Sequence, residues 1–124
     1  MTPATAIALS GLTAATLKLN AAASNLANVG DESAVGSGGY APVGVAGAPG
    51  GGVTAQAVTL RYRSLVVFNP ASPVANAQGL VETPAIDPIA EVSNQLAASH
   101  AFTASLEALK VAGEEEKTLL DLKT

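Results

Sequence analysis

One histidine, His100, the carboxylates Glu114, Glu115 and Glu116, and two arginines, Arg61 and Arg63, are the side chains of this sequence most able to do chemistry. Acid–base catalysis and metal binding both need several such groups to converge. His100 has no histidine or carboxylate three or four residues away, and Glu107 stands seven residues on, so His100 reads as a structural helix residue. The acidic triplet runs directly into Lys117 and reads as a solvated helix face, because a cation site draws its oxygen ligands from a loop. Ser10, Ser64 and Asp87 have the types for a hydroxyl triad, yet no Gly-x-Ser-x-Gly elbow accompanies them. Gly50, Gly51 and Gly52 lead into Val53, Thr54 and Ala55, without the lysine of a phosphate-binding loop. No catalytic, cofactor or metal site is expected, and no small-molecule substrate.

Composition narrows the remaining classes. The chain has 124 residues, a formal net charge of -4, and 48% hydrophobic but only 3% aromatic residues. Alanine and valine carry the hydrophobicity, so few side chains can fill a deep private core. There is no cysteine, which removes disulfides and thiolate metal sites. Nucleic acid is not an expected partner, because phosphate binding needs clustered cations and only six Lys and Arg are present. The first residues lack the cationic segment of a secretory leader, so no signal peptide is expected. Lys18, Asn20, Ser24, Asn25 and Asn28 interrupt the only long Ala/Leu stretch, which argues against an unbroken span of about 18 apolar residues.

Two helices must position whatever the chain presents. From Thr5 to Val29, Leu12, Leu19 and Leu26 recur every seven residues, with Ala8, Ala15, Ala22 and Val29 in the complementary positions. That spacing predicts one long helix with a heptad seam. Gly11 weakens it by about 1 kcal/mol relative to alanine, so a partner is expected. Asp87-Pro88 is a helix start, with Asp87 as N-cap and proline in the first turn. The second helix is expected to run from there toward Leu122, with an apolar stripe of Ile89, Val92, Leu96, Ser99, Phe102, Leu106, Leu109, Gly113 and Leu120. Between the helices, the glycine- and proline-rich segment 30–52 predicts loop. Alternation of Val58, Leu60 and Tyr62 with Thr59, Arg61 and Arg63 predicts a strand or small hairpin in 53–68. Residues 69–84 read as a connector carrying turns at Asn69-Pro70 and Asn76-Ala77-Gln78-Gly79.

The order of these residues is also familiar. Asn20-Ala21-Ala22-Ala23-Ser24-Asn25-Leu26-Ala27-Asn28-Val29 resembles the A-x-N-(I/L)-A-N signature of flagellar axial proteins, with Asn25, Ala27 and Asn28 on its fixed positions. Gly39-Tyr40 resembles the glycine and tyrosine that follow it. The run from Asn69 to Pro84, with Pro70, Pro73, Gly79 and Pro84, looks like flagellar basal-body rod proteins, the proximal rod subunit of the FlgC type. Further similarity continues through Ala97-Ala98-Ser99-His100-Ala101-Phe102 to Leu119-Leu120-Asp121-Leu122, so the resemblance spans nearly the whole chain.

That resemblance implies a mostly α fold with a small β region. Residues 1–29 and 85–124 would form one domain, an antiparallel coiled-coil-like hairpin, with a Gly-rich loop and short β-hairpin in 30–84. It implies a structural subunit of the bacterial flagellum, in a rod that spans the periplasm, reached by type III export without a cleaved leader. Partners would be copies of the chain, other rod proteins, and ring and export-gate components. Its assembly seam would run along Leu12, Leu19, Leu26, Val29, Val92, Leu96, Phe102, Leu106 and Leu109. Three rivals stand beside this reading. One is another axial subunit; a second is a small hydrolase; the third is a peripheral helix on a membrane, which would want more cations than Lys18 alone on the first helix.

Overall fold

A computed structural model describes residues 2–48, 54–60 and 63–123. The chain is mostly α-helical, with a small β region inserted between two helices. Helix α1 (Pro3–Ala27) begins at Thr2, whose hydroxyl accepts the Thr5 N–H at 3.4 Å, and proline occupies the first turn. It ends at Asn28, whose side-chain amide donates to the Ser24 carbonyl at 2.8 Å. Helix α2 (Pro88–Asp121) begins at Asp87, whose carboxylate accepts the Ile89 N–H at 2.9 Å. Both helix assignments match the sequence pattern to within two residues at each end.

The helices run antiparallel, tied at both ends. The Thr2 N–H donates to Glu116 at 2.9 Å, and Asn25 donates to Glu91 at 3.1 Å. Along α1 the inward positions are Thr5, Ala8, Leu12, Ala15, Leu19, Ala22 and Leu26, all buried or half-buried and spaced by three and four. Along α2 they are Glu91, Gln95, Ala98, Phe102, Ser105, Leu109, Ala112 and Glu116. This second set differs from the apolar stripe legible in the sequence: only Phe102 and Leu109 are common to both. The reason is steric. Small residues let the backbones approach, and a Cβ on Gly11 would come within 2.8 Å of the Ser105 hydroxyl. The acidic triplet is also not uniformly solvated, since Glu116 is half-buried on the inner stripe.

The β region departs further from the sequence expectation. Strand β1 (Val43–Ala48) lies inside the glycine-rich segment expected to be loop, and pairs antiparallel with β2 (Thr54–Thr59), from Val43 opposite Thr59 to Ala48 opposite Thr54. Glycine is tolerated here because the strand must pass close to its neighbour. A Cβ at Gly44 would sit 2.7 Å from Leu60. Strand β3 (Ser64–Phe68) pairs antiparallel with β4 (Leu80–Pro84) in a separate two-stranded sheet. The segment 53–68 therefore supplies strands to two sheets, and the expected connector 69–84 ends in a strand. Arg61 and Tyr62 of the expected alternation, and the glycines 50–52, lie outside the described residues. The first sheet packs on α1.

By length and composition α1 could also cross a membrane. Its inward stripe is instead covered by α2 and the first sheet.

Candidate assembly surfaces and the junctions that position them

Asn25 ties the helical hairpin to the β region. It is 1% exposed, and its side-chain amide uses every bonding position it has. The Nδ2 group donates to the Val43 carbonyl at 2.8 Å and to Glu91 at 3.1 Å. Oδ1 accepts the Val43 N–H at 2.9 Å and the Tyr40 hydroxyl at 3.0 Å. Because the single Tyr40 proton points to Asn25, Ser24 donates to the Tyr40 oxygen, at 2.8 Å. One side chain thus closes the outer edge of β1, orients a loop aromatic and holds the first turn of α2. Asn28 caps α1 as described, Val29 is half-buried and Ala27 is exposed.

A second junction fixes β4. The Ser33 and Glu82 main chains exchange hydrogen bonds at 2.9 Å in each direction, as an isolated antiparallel bridge. The Glu82 carboxylate accepts from the Ser64 hydroxyl and from the Gly36 N–H, the latter at 2.9 Å. These two donors, the hydroxyl first, hold its pKa below the usual glutamate value. Glu32 is lowered in the same way, by Ser72 and then by Asn69, whose amide donates at 2.8 Å. Val81, between these contacts, is 0% exposed.

The β3–β4 connection contains most of the remaining motif residues. Gly79 has φ +73°, and a Cβ there would meet Phe68 at 2.7 Å and Pro70 at 3.0 Å, so only glycine fits without strain. The Asn76 side chain accepts the Gln78 and Leu80 N–H groups at 3.0 and 2.9 Å. Pro70 and Pro73 are exposed on this loop, whereas Pro84 is buried at the end of β4.

The expected seam residues divide into two groups. Leu12, Leu19, Leu26, Val29, Phe102 and Leu109 are half-buried within the chain. Val92, Leu96 and Leu106 are open, at 54%, 60% and 43% exposure, and Ile89 joins them at 79%. Leu119, Leu120 and Leu122 project beyond the point where Glu116 meets the start of α1, and are exposed as well. Strand β3 is exposed along its whole length, including Phe68 at 68%. Groups of exposed apolar side chains are characteristic of surfaces that meet another protein.

Among the described residues no three of His, Asp and Glu are grouped to hold a metal ion, and His100 is exposed on α2. A cleft of about 430 Å³ between α1, β1 and α2 is walled mainly by Ala21, Ala22, Val43, Val45, Ala97 and Ala98. Its charged groups are Lys18 and Glu91, and Glu91 is already bonded to Asn25.

Sequence reasoning singled out Asn25, Tyr40 and Gly79 without their contacts. It gave no role to Ser33, Glu82 or Glu91 and read Glu116 as solvated; their partners lie 18 to 114 residues away in the chain, and no local spacing could have paired them.

No protein-family model matches this chain. Curated relatives do. The chain is 35% identical to "Flagellar basal-body rod protein FlgC" of Escherichia coli O157:H7, over 83% of each chain. It is 36% identical to the proteins of the same name from Salmonella typhimurium and Yersinia enterocolitica, again over 83% of each.

Proposed function

From the premise that this chain belongs to the FlgC family of flagellar basal-body rod proteins, we propose that it builds the proximal rod by packing its terminal helices against neighbouring subunits. In this reading residues 1–29 and 85–124 form the coiled-coil shaft domain, and 30–84 form the outward β region. Repeated subunits make a hollow helical shaft across the periplasm, which carries torque from the motor and passes later subunits through its bore. The chain itself would arrive by the flagellar type III route. Its neighbours would be its own copies, other rod proteins, the basal-body rings and the export gate.

The observation that carries the reading is the outer stripe of α2. Ile89, Val92, Leu96 and Leu106 form an apolar seam that α1 does not use, and a rod subunit needs a second seam for its neighbours. The half-buried Leu12, Leu19, Leu26, Val29, Phe102 and Leu109 would support that seam from beneath. The role is structural: such a subunit performs no reaction and holds no cofactor.

The test is deletion of the gene, followed by electron microscopy of basal bodies and a swimming assay. Rods and motility should be lost, and should return with the wild-type gene but not with Leu96→Glu. Intact rods in the deletion strain would overturn the assignment.

A further inference from the structure

The two sheets expose four strand edges, and their protection is unequal. The outer edge of β1 begins at Val43, whose N–H and C=O are both taken by Asn25. The outer edge of β4 is covered at Glu82 by Ser33 and at Leu80 by Asn76. The outer edge of β2 pairs with no other strand, but its side chains, from Thr54 to Thr59, are mostly small or polar. Strand β3 is open and apolar. It contains no charge and no proline, and Leu65, Val66, Val67 and Phe68 are each at least 43% exposed. Native proteins normally guard such an edge.

The register of the second sheet decides which backbone groups point outward. Glu82 and Leu80 spend their main-chain groups on Ser33 and Asn76, on the side away from β3. Their partners Val66 and Phe68 therefore sit in non-hydrogen-bonded pairs, and by alternation Ser64, Val66 and Phe68 all aim N–H and C=O at the open edge. The bond from the Ala85 N–H to the Arg63 carbonyl, at 3.0 Å, fits the same alternation.

We propose that this edge docks the same strand of a second copy, antiparallel, with Val66 opposite Val66 and Ser64 opposite Phe68. Each of the three outward-facing residues then exchanges both main-chain bonds with its counterpart. Leu65 falls opposite Val67 of the second copy on one face, so the apolar side chains cover one another. The same register sets Arg63 of one copy opposite Asn69 of the other, whose amide is held by the Glu32 carboxylate. The Arg63 cation of one copy is thus brought toward the Glu32 carboxylate of the other at both ends of the paired strands, and the strands themselves appose no like charges. An antiparallel partner shifted by two residues still pairs apolar side chains, but it moves Arg63 away from Asn69 and Glu32 of the other copy. The pairing closes on itself, so it is distinct from the repeating contacts of a shaft and stands whether or not those are as proposed above. It gives the unassembled subunit a way to cover the edge most liable to uncontrolled sheet formation.

The purified full-length chain should show concentration-dependent dimerisation in sedimentation equilibrium up to about 1 mM, since contacts of this small area are weak ones. Val66→Pro deletes an outward N–H and spares the β3–β4 ladder; it should weaken association about tenfold or more. Arg63→Glu should also weaken it, and adding Glu32→Arg should restore it. The chain has no native cysteine, so single substitutions report proximity directly. Val66→Cys should form a disulfide-linked dimer under mild oxidation, and Ala57→Cys, on the open edge of β2, should not. Should Val66→Pro unfold the hairpin, this cysteine pair decides alone. A wild-type chain that stays monomeric throughout, or equal cross-linking of the two cysteine variants, would overturn the proposal.

Discussion

Along α2, the face turned to α1 carries Glu91, Gln95, Ala98, Phe102, Ser105, Leu109, Ala112 and Glu116, whereas the face turned away carries Ile89, Val92, Leu96 and Leu106. An isolated globular protein would place these the other way round, with large aliphatics inside and polar or small residues outside. The inner face has been built for close approach and hydrogen-bonded ends, through Gly11 against Ser105, Thr2 against Glu116, and Asn25 against Glu91. The outer face carries large aliphatic side chains that the chain does not itself bury. A chain organised this way ties its own elements together through specific polar junctions and leaves apolar surface open on the other side.

Removing the main junction should break that arrangement most severely. Asn25→Ala leaves the Val43 N–H and C=O, the Tyr40 hydroxyl and Glu91 without their shared partner. Orphaned buried polar groups cost about 1–3 kcal/mol each, so a loss of about 2–4 kcal/mol is expected in urea unfolding. Loss of less than about 1 kcal/mol would show that water replaces the amide freely. Gly79→Ala comes next: its positive φ and the nearby Phe68 ring predict about 2 kcal/mol, concentrated in the β3–β4 hairpin and readable as faster hydrogen exchange there. Gly11→Leu drives a side chain into Ser105 and should cost about 1–3 kcal/mol.

The outer face should respond in the opposite way. Leu96→Ala is expected to change the stability of the isolated chain by no more than about 0.5 kcal/mol, yet to impair rod assembly and swimming. Equal effects of Leu96→Ala and Gly11→Leu on unfolding would erase the distinction between the two faces.

The smallest effect is pH-dependent. The pKa values of Glu82, Glu32 and Glu116 are held low by hydrogen bonds, chiefly from Ser64, Ser72 and the Thr2 N–H respectively. A carboxylate with a depressed folded-state pKa contributes stability that is complete above its unfolded value and fades as the pH falls through the folded one. A shallow loss is therefore expected below about pH 4, and Glu82→Gln should flatten it in pH-dependent thermal melts.

Much of this molecule could be read along the chain. The caps Asp87-Pro88, the heptad of Leu12, Leu19 and Leu26, and the family motifs at Asn25 to Asn28 and Asn69 to Pro84 are local signals, and local signals located both helices and the family. The β region was harder. Glycine-rich β1 has too few side chains to show a strand period, and it forms because Asn25 and β2 bond its backbone. The segment 53–68 read as one strand region, yet its two halves pair with different partners on either side, β2 with β1 and β3 with β4.

Sequence by itself determined the helices, the absence of cysteine, the scarcity of aromatics and the kinship with rod proteins, because each depends on residue type and short spacing. Tertiary structure decided which face of α2 meets α1, what Asn25 and Glu82 hold together, and which strand edge stays open. Those choices depend on how closely two backbones can approach and on which distant polar groups share a hydrogen bond, and neither is encoded in any local run of residues.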